Sequence, residues 1–380
     1  MSRVNFPAVW AGAEIAEPGL VEYCRSASMK FRRKERDSRR GSAGARRTIY
    51  DVAQRAGVSI STVSLALNSP DRVRPETLDK IYQSVQELGY TPKAEATILA
   101  RKSTRRIGVV APFVTYGSFM ERLRGVMAAA EKERYEIVLY DHESYALRHH
   151  LADSLSLSQR LDGLILMAIP MSDVLAKRLL QDGLPTVLVE FARPEFSSVV
   201  IDDEAGGRLA AQYLLQRGHR RFAFLGEGWL ETKSAPKRVV TQKDLRLRGF
   251  RSELAAANLE LSDNLVLDAF NSVEAGRQAA LKILDMRDPP SAIFAHSDVL
   301  AAGVLLAARD RQLSVPSQLA VMGFDDREFA SYLGLTTIRQ PLFDSGQIAM
   351  NLLTNRLVRG TSSVPQMVGL PLEVVARESA

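Results

Sequence analysis

Cysteine is almost missing from this chain: Cys24 is the one cysteine in 380 residues. No internal disulfide framework can form, and such usage fits a reducing compartment. Long apolar runs are missing as well. None approaches the ~20 residues needed to cross a bilayer, so no membrane partner is expected. The opening stretch, MSRVNFPAVWAGAEIAEPGL, lacks the basic-then-apolar order of a signal peptide. A cytoplasmic rather than an exported protein is expected. Histidine is scarce, with five in all. Asp141-His142-Glu143 and His149-His150 lack the fixed ligand spacing of a zinc site and read as solvated, charged loops. Catalytic signatures are absent too. There is no GxSxG, no P-loop and no GxGxxG, Gly226-Glu227-Gly228 being too short a fragment. Asp325-Asp326 is a carboxylate pair, but sequence neighbours share acid–base work only where the backbone turns sharply, and no His or Lys partner is evident. No enzyme is expected, and neither cofactor nor metal.

What is present is globular. Hydrophobic residues make up 46% and charged residues 25%, within the ordinary range for a folded chain. The length allows two or three domains with full cores. A net charge of +6 suits a polyanionic partner. Residues 1–47 show no sustained period, and from Arg25 to Arg47 ten Lys/Arg face only Glu35 and Asp37. They are expected to form a basic, disordered extension, and Met29 would be the more ordinary start.

Thr48–Asn68, TIYDVAQRAGVSISTVSLALN, reads as two short helices joined by a tight turn. Thr48 with Asp51 fits a capping box. Gly57 ends the first helix, because glycine takes a left-handed cap without a Cβ penalty. Ser59 can cap the second. Val63, Ala66 and Leu67 then face inward, while Ser61, Thr62 and Leu65 face outward with Ser64 beside them. That is the helix-turn-helix plan, whose second helix enters the major groove. Pro75 suits the first position of a third helix to Leu88, stopped by Gly89. Lys93–Lys102 is a short alanine-rich stretch.

From Arg106 the texture changes. Apolar runs such as RIGVVAPF, DGLILMA, PTVLVEF, RFAFLGE and LAVMGFDD alternate with helical patterns at Met120–Arg134, Ala205–Gln216, Gly249–Ala257 and Val273–Leu284. Strands alternating with helices mean parallel sheets built from βαβ units. Two such sets fit two doubly wound subdomains with a cleft between them.

TIYDVAQRAGVS followed by TVS and LN resembles the DNA-binding domain of the LacI/GalR family of bacterial repressors. DGLIL, DDEAGGRLAAQYLLQRGHRR, RLRGF, SAIFAHSDVLAAG, VPSQLAVMGFDD, LTTIRQP and ARES extend the resemblance, in order, to the end of the chain. It implies a small all-α helix-turn-helix domain followed by an α/β bilobal body, periplasmic-binding-protein-like, with two doubly wound parallel-sheet subdomains. The implied boundaries are 48–92 for the DNA-binding domain, 93–105 for a hinge helix and linker, and 106–380 for the effector-binding and dimerisation domain. Within the last, one subdomain takes about 106–217 and 341–367, the other 218–340 and 368–380. Crossings then fall near Arg217–Arg220, Gln340-Pro341 and Val368–Leu370.

The function implied is a homodimeric transcriptional repressor. Its affinity for a pseudo-palindromic operator in double-stranded DNA would be set by a small ligand, a sugar or sugar derivative. The resemblance puts Ile60, Ser61 and Leu65 on the bases, and Thr48, Tyr50, Ser59, Thr62, Ser64 and Asn68 elsewhere on the DNA, chiefly at phosphates. Leu99 would wedge into the minor groove. Leu65 stands where most members carry Arg. The implied effector residues are Ser118, Phe119, Arg246, Phe294, Ser297 and Asp325, with Ser118 replacing an aromatic common in the family. A periplasmic sugar-binding protein would leave Thr48–Leu99 unexplained, and a sugar-metabolising enzyme would need a catalytic group that is not seen. No terminal heptad repeat follows ARES to build a tetramer.

Overall fold

Local capping sets the first three helices. In the computed structural model, which describes residues 47–68, 70–90, 103–141, 157–228, 240–359 and 364–380, the Thr48–Asp51 capping box opens α1 (Ile49–Ala56) and Gly57 closes it at φ 65°. The Ser59 hydroxyl accepts from the Thr62 amide at 3.1 Å and starts α2 (Ile60–Asn68). Pro75 begins α3 (Pro75–Leu88), and Gly89 ends it at φ 60°. Val52, Val63, Ala66 and Ile81 are sealed from solvent where the three helices meet. The basic extension 1–46, the hinge stretch 93–102 with Leu99, and His142, His149 and His150 lie outside the described residues. The chain divides into two units, Met1–Lys102 and Ser103–Ala380.

The second unit carries two six-stranded sheets. The first lobe begins with β1 (Arg106–Ala111), α4 (Gly117–Lys132), β2 (Glu136–Asp141), β3 (Gly163–Met167), α5 (Asp173–Gln181), β4 (Thr186–Val189) and β5 (Ser197–Ile201). The second lobe holds α6 (Asp203–Gln216), β6 (Phe222–Glu227), α7 (Gln242–Ala256), β7 (Val266–Ala269), α8 (Val273–Leu284), β8 (Ala292–Ala295), α9 (Asp298–Asp310), β9 (Ala320–Asp325), α10 (Glu328–Tyr332) and β10 (Thr336–Arg339). The chain then returns for α11 (Leu342–Arg359) and β11 (Met367–Leu370), and ends in the second lobe with β12 (Glu373–Val375). The sheet orders are β2-β1-β3-β4-β5-β11 and β7-β6-β8-β9-β10-β12. Every pairing is parallel except β10 with β12. The inner strands are buried on both faces, hence their unbroken apolar runs. Among the described residues no helix is long and apolar enough to cross a membrane.

Two sequence expectations need correction. The first crossing lies at residues 201–203, not near Arg217–Arg220. Ala210, Ala211 and Leu214 of α6 are buried with Phe222, Phe224 and Phe250, in the core of the second lobe. The last crossing follows Leu370 rather than preceding it, because β11 stays paired with β5 through Leu370↔Ile201.

Helices in each lobe meet through glycines. A Cβ on Gly346 would stand 1.9 Å from the Arg122 carbonyl oxygen, and one on Gly125 the same distance from that of Phe343. In the second lobe, a Cβ on Gly207 would stand 2.0 Å from the Arg246 carbonyl, and one on Gly249 1.9 Å from that of Glu204. The pairs α4–α11 and α6–α7 therefore touch backbone to backbone. An arginine, Arg122 or Arg246, leaves each close contact toward the space between the lobes.

Candidate functional site

In doubly wound sheets, ligands collect beyond the carboxyl ends of the strands. Here a cleft lies there, lined from both lobes. Its backbone is unusual. Phe113 after β1, Ala168 after β3, Glu190 after β4 and Asp325 at the end of β9 all line it, and all have positive φ (50°, 51°, 73° and 114°). None is glycine, so each holds a conformation that L-residues rarely adopt, the kind of strain that gathers at ligand sites. Asp326, next along, is held by Arg339 and Arg377 at 2.6 Å each. That clamp turns the neighbouring Asp325 into the cleft.

Arg246 forms one wall and is itself buried. Its Nε donates to Asp203 Oδ1 at 2.8 Å, and its Nη1 to the His296 carbonyl at 2.6 Å. The guanidinium lies 3.4 Å over the Phe324 ring, a cation–π contact. Among the described residues Nη2 has no hydrogen bond to the chain. Arg122 forms the opposite wall. It pairs with Glu190 and donates to Gln340 Oε1 at 2.9 Å, while its buried Nε has no hydrogen-bond partner. Gln340 then donates to Asp325 Oδ1, and Gln242 of α7 donates to Glu190 Oε2 at 3.3 Å. The two lobes thus share one polar network across the cleft. Burial pushes the Glu190 and Asp325 carboxyls above their usual range, with Arg122 and Arg246 respectively pulling them back. Asp298, behind Asp325, is raised furthest, by burial and then by the Asp325 charge.

The structure brings together Ser118, Phe119, Arg246, Ser297 and Asp325 on this cleft. Ser297 also caps α9, accepting from the Leu300 amide at 3.3 Å, and its hydroxyl lies 2.8 Å from Asn271 Oδ1. Phe294 does not join them. It is sealed in the core of the second lobe, with its ring 5.2 Å from that of Phe250 and 5.5 Å from that of Phe224. On β8 its neighbours Ile293 and Ala295 point to the opposite layer, so its facing follows from the two-residue pleat. The aromatic surface comes instead from Phe113 and Tyr116, stacked at 4.8 Å. Glu190, Gln340, Glu227, His296 and Arg122, unassigned from sequence, also line the cleft, with Thr241, Gln242, Lys243 and Asn271.

In the first unit, Tyr50, Ser59, Ile60, Ser61 and Leu65 are exposed, and Thr62 and Ser64 are half-buried. Leu65 is 36% exposed although Ala66 beside it is fully covered. Helix α2 carries no charged side chain. It offers hydroxyls and two aliphatic groups outward. Thr48 is committed to its cap.

Comparisons with known proteins agree with this geometry. Residues 48–93 match the profile described as bacterial regulatory proteins, lacI family, and residues 211–380 match a periplasmic binding protein-like domain. The chain is 32% identical over 337 residues to catabolite control protein A of Priestia megaterium, covering 87% of this chain and 98% of that protein. It is 32% identical over 322 residues to the ribose operon repressor of Escherichia coli, covering 83% and 94%. The crystal structure of the Lac repressor dimer bound to operator and an anti-inducer superposes with a TM-score of 0.73 at 25% identity, covering 88% of this chain and 99% of that one.

Proposed function

Because this chain belongs to the LacI family of bacterial regulatory proteins, we propose that it is a transcriptional repressor whose hold on its operator is set by a small polar ligand in the cleft. The ligand is a sugar or sugar derivative. The observation that carries this reading is the polar network running from Arg122 through Gln340 to Asp325. A ligand that replaces or completes those bonds favours one lobe arrangement over another. It acts on DNA only through that difference in affinity.

The proposed domain limits are 48–92, 93–105 and 106–380, with the crossings moved as above. The outward face of α2 reads the operator, with Ile60, Ser61 and Leu65 on bases and Tyr50, Ser59, Thr62, Ser64 and Asn68 on phosphates. The stretch 93–102 acts as the hinge. Its Leu99 enters a central minor-groove step, which costs unstacking and gains a bent, more fully contacted duplex. A two-fold operator needs a two-fold protein. Support for a dimer comes from exposed Met120 and Met127 on α4 and from the groove of Leu305, Leu306 and Leu313 in the second lobe.

The test is a gel-shift assay with DNA upstream of the chain's own gene, with and without a panel of sugars. Specific retention that one sugar alters is the expected result. Retention no stronger than on random DNA overturns the reading.

A further inference from the structure

The cleft is crowded with charge, and the pairing of that charge carries information about its ligand. Among the described residues, each cation of the lining already has a carboxylate. Arg122 is paired with Glu190, Arg246 with Asp203 at 2.8 Å, and Lys243 with Asp268 at 2.7 Å. Two carboxylates of the lining are left over. Glu227 faces only the His296 ring, with Nε2 at 3.6 Å. Arg246 Nη1 lies 3.5 Å from the other ring nitrogen, Nδ1. No Arg or Lys side chain pairs with Glu227 among the described residues. Asp325 receives a hydrogen bond from the neutral amide of Gln340. Just outside the lining, Arg327 donates to the Gly117 carbonyl across the cleft, and Asp298 accepts from Thr337 and from the Arg327 amide; neither forms an ion pair with Glu227 or Asp325.

We propose that the cleft is built for a cationic ligand, a small polyhydroxylated molecule bearing a protonated amine, with an amino sugar the simplest case. This rests on the reading of the cleft as the effector site and names the chemical class that the site takes. An ammonium group beside Glu227 or Asp325 supplies the counter-charge that the protein withholds, and up to three donors for carboxylate oxygens. Hydroxyls suit the rest. The buried Arg122 Nε, which lacks an acceptor, gains one from a ligand oxygen, and Arg246 Nη2 gains another. The stacked Phe113–Tyr116 pair offers a π face on the same cleft, which also favours a cation. A sugar phosphate or sugar acid fits poorly. It brings negative charge to a site whose arginines and lysine are already neutralised, and like charges brought together in a half-desolvated cleft repel.

Calorimetric titration of the full chain with glucosamine, galactosamine and mannosamine, each beside its parent hexose and the hexose 6-phosphate, tests this. The expected result is that at least one amine binds roughly tenfold or more tighter than its parent hexose, with the 6-phosphate weaker than both. In Glu227→Gln, amine and hexose converge to the same affinity. In Glu227→Asp, which keeps the charge, the preference for the amine persists, so a folding defect at this position is separated from loss of charge. A hexose or phosphate that binds as tightly as the amine, with binding lost in Arg246→Ala, overturns the cation assignment and leaves the cleft reading standing. Binding of none of the three classes overturns both.

Discussion

Arg246 is held in place from several sides by the protein itself. Asp203, the His296 carbonyl and the Phe324 ring hold its guanidinium on separate sides, and both charges of the pair are at most 4% exposed. Removing one partner of such a pair strands the other, at a cost of about 3–5 kcal/mol. Arg246→Met is therefore expected to lower the unfolding free energy by about that amount in urea titrations. Arg246→Met combined with Asp203→Leu should recover most of the loss, because neither charge is then stranded. Asp298 makes a second prediction. Burial raises its carboxyl well above the ordinary 3.8, so the folded state holds the proton more tightly than the unfolded chain does. Its contribution to stability is full below that ordinary value and is lost as pH rises through the raised one. Urea midpoints measured between pH 4 and pH 7 should fall less steeply for Asp298→Asn than for the wild type. An identical fall would show that Asp298 does not control that slope. At this scale the sequence was partly legible. Arg246, Asp325, Ser118, Phe119 and Ser297 reach one cleft, because motif positions fix where a residue falls on its strand or helix. Phe294 was misplaced because a motif does not state which face of the sheet a strand residue takes. Glu190 and Glu227 went unassigned because each closes an apolar run. At Glu190 the direction of the side chain depends on a positive φ that no local residue type announces.

At the scale of elements, what was legible was local. The limits of α1 and α3 follow from Thr48, Gly57, Pro75 and Gly89, each acting within one turn. The lobe to which α6 belongs was not legible, since Gly207, Ala210 and Ala211 pack with α7 through contacts distant in sequence. The start of α7 was also missed. Its Thr241–Asp244 capping box precedes a charged first turn with no apolar period. The close approach of these helices gives a prediction with opposing terms. Replacing a helical glycine by alanine gains roughly 1 kcal/mol of propensity. At Gly207 the new methyl would stand 2.0 Å from the Arg246 carbonyl, and forcing helices apart in a packed core costs about 1–3 kcal/mol. Gly207→Ala should be net destabilising, and ligand affinity should fall with it because Arg246 moves. Unfolding and titration on the same sample would check both; a stabilised variant would contradict the packing account. On α2, Leu65 offers only apolar contact, for instance to a thymine methyl. An arginine there would grip guanine through two hydrogen bonds, worth about 1–3 kcal/mol of discrimination. Site selection from a random DNA pool should therefore return a different base at one position of each half-site for Leu65→Arg. Identical preferred sites would remove Leu65 from the reading face.

For the whole molecule, the exposed apolar groups of both lobes lead to a firm expectation. Light scattering at micromolar concentration should give twice the chain mass of 42.0 kDa, and a charge at Met127 together with one at Leu305 should shift it toward the monomer. A stable monomer or tetramer of the wild type would contradict this. The way the lobes are joined has a mechanical consequence. All three connections run at one side of each sheet, where β5 lies beside the edge strand β11 in one and β10 beside the edge strand β12 in the other. Three short leaves set side by side behave as a flexure. They bend easily about the line they share and resist sliding and twisting, so one soft degree of freedom remains. On the proposed reading of the cleft, a bound molecule is expected to act by setting a single angle, so that two ligands of different chemistry that set the same angle should have the same effect and ligands of opposite effect should differ in the sign of that displacement.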